Sequence, residues 1–423
     1  MTNAQMRLLD NFKQPRKLQR RFVSLALDDL IEKGLIRPVA ERVELLAQRP
    51  SILTAWLHLT NACNLRCAYC YIYKTPSKME LTRGKQAVDA VFRSAIAQGF
   101  SGIKLKYAGG EPTLNFELVL TLHCYAQELA NKNELSLDGV LLSNGVGLTD
   151  RMIEDLQNYG IRLMVSLDGL DDFHDGQLPF INGKGSFTKV MDSLDKLAKY
   201  SLVPSISITV SSLNLQGLPT LVELLLARQL PFSINFFRDN NCTQTFGDLA
   251  FQEAEIISAM RAAFTAIERN LPPYSLLGSL LDRTRLDSPH NRTCGVGNSY
   301  LVIDQHGAVA KCHMQIEQTI TDVDTADPLA LINTDSIGIQ NLPVTEKEGC
   351  RDCTWRYYCA GGCPALTYRA TGRYDVKSPN CNIYKALFPD LIRLEGLRLL
   401  KYGSEFNPQP HESDCACDDC ACG

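Results

Sequence analysis

From Ile52 onward, short apolar runs alternate with stretches whose apolar residues recur every three or four positions. The runs at Ile52–Thr60, Gly102–Ala108, Gly139–Gly145, Ile161–Gly169, Val203–Val210 and Phe232–Arg238 predict strands. Helices are predicted between them, over Thr82–Gln98, Asn115–Asn131, Asp150–Asn158, Ser186–Lys199 and Leu218–Arg228. Strand-then-helix units in series imply an α/β fold with a parallel sheet wrapped by helices. Polar or glycine-containing turns follow the strand C-termini at Asn61, Gly109–Gly110, Asn144–Gly145, Asp168–Gly169 and Asp239. In a barrel of such units that rim carries the chemistry. An open doubly wound sheet has the same alternation, and periodicity does not separate the two.

The pattern then changes. A helical stretch over Asp248–Asn270 leads into a linker with Pro272–Pro273, and beyond about Thr293 the sequence turns cysteine-rich with short elements. A helix is predicted near Ile383–Leu400, and a polar tail ends the chain. Five segments follow: an N-terminal helical arm (1–50), the strand–helix series (51–240), a helical linker (241–293), a cysteine-rich domain (294–388), and a C-terminal helix with its tail (389–423). The arm carries a basic run from Lys13 to Arg21 and two short amphipathic helices. A solvated arm is the simpler reading of that run; contact with an acidic partner segment is the other.

Composition narrows the class. Hydrophobic residues make up 45% of the 423 residues and charged residues 21%, the balance of a globular protein. A formal charge of -4 lacks the basic surface that binding nucleic acid requires. No stretch approaches the length of a membrane span, and the N-terminus has no signal-like apolar core, so a cytoplasmic protein is expected. Sixteen cysteines in such a chain suggest metal rather than disulfides.

Their spacing supports that. Cys63, Cys67 and Cys70 form C-x3-C-x2-C directly after the first strand. Three thiolates on one loop hold three irons of a 4Fe–4S cluster and leave the fourth open; a structural zinc site normally offers four closed ligands. With GGEP (Gly109–Pro112) after the second strand, the motif CNLRCAYC resembles the radical S-adenosylmethionine (SAM) superfamily over about residues 52–240. The resemblance implies a partial (β/α)6 TIM-like barrel. Its open iron chelates SAM, and an electron from the cluster yields a 5′-deoxyadenosyl radical that takes a hydrogen atom from substrate. It also implies site roles. Gly109 and Gly110 admit the SAM methionine, with Pro112 completing their motif, while Glu111 anchors the turn. Tyr69 lies near adenine. Ser143 and Asn144, with Ser166 and Asp168, end strands on the same rim and suit the ribose and methionine carboxylate. By themselves SNG and SLDG are ordinary turn chemistry. Relatives often carry an Arg where this chain has Leu178, which leaves the expected clamp on the SAM carboxylate without its residue.

Downstream stand Cys294, Gly307-x4-Cys312, Cys350-x2-Cys353-x5-Cys359-x3-Cys363 and Cys381. This block resembles the SPASM extension of radical SAM enzymes that mature sulfatases and ribosomal peptides. Its wiring assigns Cys350, Cys353, Cys359 and Cys381 to one auxiliary cluster, and Cys294, Cys312 and Cys363 to another. That makes three [4Fe-4S] clusters in all. The second auxiliary set lacks a fourth thiolate. Its iron is open, or the ligand comes from Cys242, a tail cysteine or another side chain.

Sulfatase-maturating relatives carry an Asp after the cysteine of G-x4-C, where this chain has His313. A histidine still serves as a base near neutral pH. The reading favoured is therefore a peptide maturase acting on a precursor peptide, with an electron donor such as flavodoxin or ferredoxin, and the resemblance makes residues 1–50 either a helical arm or an abbreviated peptide-recognition segment. Formylglycine formation is the alternative, and a zinc-stabilised binding protein the alternative of another class. The tail thiols Cys415, Cys417, Cys420 and Cys422 bind metal, assist cluster loading or have no catalytic part.

Overall fold

A computed structural model describes residues 50–242 and 249–403, together with residues 7, 8, 11, 17, 25–32 and 36. The tail cysteines, and the basic run apart from Lys17, lie outside these residues. The chain divides into two compact units, residues 1–49 and 50–423. In the first, helix α1 (Leu25–Glu32) buries Leu27 and Leu30, three positions apart on one face, against Ile36 and Leu8.

In the second unit six parallel strands follow one another in space as they do in sequence: β1 (Ile52–His58), β2 (Gly102–Ala108), β3 (Ser136–Ser143), β4 (Ile161–Ser166), β5 (Ser205–Val210) and β6 (Phe232–Phe236). Between them run α2 (Leu81–Gln98), α3 (Phe116–Asn133), α4 (Asp150–Asn158), α5 (Phe187–Lys199) and α6 (Leu218–Ala227). A doubly wound sheet reverses its strand order part-way to place helices on both faces. Here the order never reverses, so right-handed crossovers return every helix to one side. The fold is a partial (β/α)6 barrel.

Strand alternation divides the two faces. Leu53, Ala55 and Leu57 of β1, Ile103 and Leu105 of β2, and Ile206, Ile208 and Val210 of β5 join one core with Val88 and Val91 of α2 and Val119 and Leu122 of α3. The intervening positions include Thr54, Trp56, Lys104, Lys106, Ser207, Ser233 and Asn235, which are also buried. Parallel strands covered on both faces usually read apolar throughout. The polar inner row sets the barrel interior apart from the core.

After α7 (Glu253–Arg269), the chain returns to the sheet. Strand β7 (Tyr300–Ile303) pairs in parallel with β1, and β8 (Ala308–Ala310) and β9 (Thr319–Asp322) add antiparallel, giving one nine-stranded sheet. The cysteine-rich region thus begins as an extension of the barrel sheet. Strands of three and four residues are too short to show a period in sequence. Helices α8 (Pro328–Thr334), α9 (Arg356–Cys359) and α10 (Pro364–Thr371) follow, and α11 (Cys381–Tyr402) packs along α7. Among the described residues, no helix is long and apolar enough to cross a membrane.

Candidate active site

The loop after β1 is strapped from two sides. Leu59 N donates to Ala108 O, while Gly110 N and Glu111 N, at the end of β2, donate to Thr60 O and Ala62 O. Arg66 N and Ala68 N donate to Pro179 O and Gln177 O, beyond β4. Within this clamp Cys63, Cys67 and Cys70 line a single cavity at the strand C-termini. Burial pushes the Cys63 thiol up, and Cys67 much further, where the neighbouring Cys70 and Cys63 add to the shift. Thiols crowded so tightly ionise only with a cation to share, so metal binding and deprotonation are coupled. Lys74 Nζ lies 2.9 Å from Cys70 Sγ. Burial opposes its charge, yet Cys70 and Cys63 hold its pKa above the ordinary lysine value.

The same cavity is lined by Gly109, Gly110, Ser143, Asn144 and Ser166, brought together from the ends of three strands. A Cβ on Gly109 would come 2.5 Å from Thr60 O, and one on Gly110 2.3 Å from Ala62 O, so the glycines let β2 close against the cysteine loop. Glu111 is buried behind them. Its Oε1 accepts from Ser143 Oγ (2.9 Å), Thr113 Oγ1 (2.7 Å) and Thr113 N (3.1 Å), and its Oε2 from Asn144 N (2.8 Å). It ties the β2 and β3 ends together. Pro112 opens the short 3-10 turn Pro112–Asn115 outside the cavity lining.

Asp168, expected at the cofactor, does not line the cavity. It is wholly buried, accepting from Tyr69 OH at 2.7 Å, Thr209 N at 2.7 Å and Gln177 Nε2 at 3.2 Å. Burial raises its pKa to about 7, against the opposing bonds from Thr209 N and Tyr69 OH. A strand-end carboxylate looks available in sequence, but this one faces inward and holds Tyr69, which lines the cavity. Leu178 fills its own position as an apolar wall packed near Cys63 and Cys67. The cavity also takes in Trp56, Tyr71, Lys74, Met164 and Ser207, which sequence reasoning missed. Trp56 and Ser207 were detectable as alternate positions, in register with Thr54 and His58 of β1 and with Ser205 and Thr209 of β5.

The remaining seven motif cysteines sort into two further cavities. Cys294, Cys312 and Cys363 line one with Arg238, Arg283 and His313. Cys350, Cys353, Cys359 and Cys381 line the other with Lys377 and Lys385. The segment from Cys359 to Cys363 joins them through Gly361 (φ +83°) and Gly362 (φ +71°), left-handed conformations that a side chain resists. Cys242 lies elsewhere, in a cleft with Tyr71, Tyr73 and Arg369. Cys124 sits on α3.

His313 is buried with its ring stacked on Trp56, centroids 4.7 Å apart. Its Nδ1 lies 3.1 Å from Tyr300 OH, and its Nε2 has no hydrogen-bond partner. Burial, reinforced by Arg283, Lys106 and Arg238, holds its pKa well below the ordinary value, so the ring is neutral. Through Trp56 it touches the first cavity, and it lines the second directly.

Among the described residues, no three His, Cys, Asp or Glu side chains close around a single ion.

The Radical SAM superfamily model matches residues 57–224. The sporulation killing factor maturation protein SkfB of Bacillus subtilis is 28% identical over 172 residues, 40% of this chain and 39% of that protein. A protein of Methanocaldococcus jannaschii is 29% identical over 172 residues, 40% of this chain and 57% of that one. The chain thus spans about half the length of these relatives. Among solved structures, anSMEcpe with bound AdoMet and a Cp18Cys peptide superposes with a TM-score of 0.66 at 17% identity, over 83% of this chain and 99% of that one. Streptococcus suis SuiB bound to its precursor peptide SuiA gives 0.56 at 15% identity, over 88% and 85%. At such identities these two show a shared fold, which takes in the cysteine-rich region as well as the barrel. Residues 57–224 therefore form a radical SAM domain, and the fold shared with anSMEcpe and SuiB continues into the cysteine-rich region that follows it.

Proposed function

We propose that this protein is a radical SAM peptide maturase that holds three [4Fe-4S] clusters and oxidatively modifies or cross-links a ribosomally made peptide. One observation carries the reading: ten cysteines sort into three separate cavities of a single compact unit, and the first of these lies at the barrel rim. When bound, the first cluster and SAM supply a 5′-deoxyadenosyl radical that takes a hydrogen atom from substrate.

The chain's own residues bind, orient and shield. Cys63, Cys67 and Cys70 hold the first cluster from one wall. Gly109 and Gly110 offer backbone beside the cysteine loop, and Ser143, Asn144 and Ser166 add hydrogen-bonding groups to the same cavity. Trp56, Tyr71, Met164 and Leu178 make the remaining wall largely apolar, which keeps water from a reactive radical. A wider cleft containing Tyr73, Gln315, Tyr368 and Arg369 shares Tyr71 with this cavity and suits an extended peptide. Once hydrogen is taken, the substrate must still lose one electron and one proton. A cluster held by Cys294, Cys312 and Cys363 would accept the electron, and His313, whose Nε2 has no hydrogen-bond partner, would take the proton. The names of SkfB, a maturation protein, and SuiB, bound to a precursor peptide, support a peptide substrate.

Anaerobic reconstitution should give about 12 irons per chain, from three four-iron clusters. Reduction in the presence of SAM should release 5′-deoxyadenosine. Co-expression with a small peptide encoded beside this chain should yield a product lighter by two hydrogens in mass spectrometry. Failure to release 5′-deoxyadenosine sinks the proposal, and formylglycine in the product would shift it to sulfatase maturation.

A further inference from the structure

Lys347 is among the largest fully buried side chains, at 1% exposure. Its Nζ donates to Ala360 O at 2.8 Å, a neutral acceptor for a group with three donors. A buried ammonium with so little compensation is costly unless negative charge lies close by. Its position supplies that charge. Ala360 lies in the segment from Cys359 to Cys363 that joins the two downstream cysteine sets. The same carbonyl accepts from Thr293 Oγ1 at 3.1 Å, and Thr293 immediately precedes Cys294. At the other end of the residue, Cys350 N donates to Lys347 O at 3.1 Å. Lys347 is therefore pinned between Cys294 and Cys363 of one set and Cys350 and Cys359 of the other, where burial works against its charge and lowers its pKa while the four thiols work for it. Arg238 and Arg283 line the cavity of one set, and Lys377 and Lys385 that of the other. Lys347 stands at the junction.

We propose that Lys347 is an electrostatic bridge between the two auxiliary clusters, raising the reduction potential of both so that an electron leaving the substrate is held there. The inference rests on the three-cluster reading above. Reduction adds one negative charge to a cluster, and a fixed cation nearby stabilises that form more than the oxidised one. Net charge and buried polar groups are recognised determinants of cluster potential.

The test uses the full chain, reconstituted anaerobically, as wild type, Lys347→Met and Lys347→Arg. Iron is measured, and each cluster is followed by electron paramagnetic resonance during a reductive titration. Lys347→Met should lower the midpoint potentials of both auxiliary clusters, leave that of the Cys63, Cys67 and Cys70 cluster in place, and be largely restored by Lys347→Arg. Loss of auxiliary iron from Lys347→Met but not from Lys347→Arg supports the same role, since charge is what the arginine keeps. Unchanged auxiliary potentials in an iron-replete Lys347→Met protein overturn it, as does equal iron loss from both variants, which assigns the lysine to packing. Wild type holding only about four irons, the content of one cluster, overturns the three-cluster reading itself.

Discussion

Glu111 shows how much one side chain decides at this rim. All four of its bonded neighbours are donors, so an ionised carboxylate satisfies each one. Glu111→Gln turns an amide NH2 toward at least one donor and leaves it unsatisfied in a buried place. That should cost about 1–3 kcal/mol of stability, read by urea denaturation, and weaken SAM binding, read by calorimetry on reconstituted protein. His174 yields a prediction in pH. Asp168 N donates to its Nδ1 and its Nε2 meets Ser186 Oγ, a pattern only neutral imidazole satisfies, and burial lowers its pKa to about 4. The unfolded chain, titrating near 6.5, binds a proton that the folded one refuses. Stability is therefore full above about pH 6.5 and falls as pH drops toward 4. In a Tm series across that window His174→Gln should be less stable at neutral pH but lose stability less steeply, by up to about one proton's worth of slope. At this scale the sequence was uneven as a guide. Cysteine spacing is a one-dimensional property and could be read directly. Whether Asp168 faces the cavity or Tyr69 depends on how the chain turns after β4, which no local pattern reports.

At the scale of elements, the β2 end fits the cysteine loop so closely that no side chain can stand between them. The atoms a Gly110 Cβ would strike are backbone oxygens, Ala62 O at 2.3 Å and Asn61 O at 2.8 Å, which cannot swing aside. The loop itself must shift, and Cys63 moves with it. Gly110→Ala should therefore lose about four irons, one cluster's worth, and SAM cleavage with them, while far-ultraviolet circular dichroism stays native. Gly99, the left-handed cap of α2, has open space around it. Gly99→Ala should lower Tm through about 1 kcal/mol of backbone strain and keep full iron. Strand and helix positions in the barrel were legible because each spans enough residues to show its period. The barrel itself was not, since alternation is common to wound sheets of both kinds, and only the unreversed strand order separates them. The seam between β1 and β7 was hidden for a related reason: Thr54 to Leu57 meet Tyr300 to Ile303 across more than two hundred residues of sequence.

That seam is what gives the whole molecule its arrangement. Because β7 continues the barrel sheet beside β1, Tyr300 and His313 are carried against Trp56, and the Cys294 set arrives beside the barrel mouth. His313 thereby sits between the cavity where hydrogen would be taken and the one where an electron would leave. If it accepts the substrate's proton, its removal should uncouple the two halves of the reaction. His313→Gln, which keeps bulk and polarity but has no basic nitrogen, should still release 5′-deoxyadenosine, while modified peptide falls about 10²–10⁴-fold, the usual contribution of a positioned base. The two products are measured together, by chromatography and by mass spectrometry. A parallel fall in both would mean that the imidazole supports SAM or a cluster through its stack on Trp56. Unchanged modification would mean that the proton leaves by another route. The uncoupled result is the one this geometry predicts, because the neutral ring meets the first cavity through the rings of Trp56 and Tyr71 while its Nε2 has no hydrogen-bond partner.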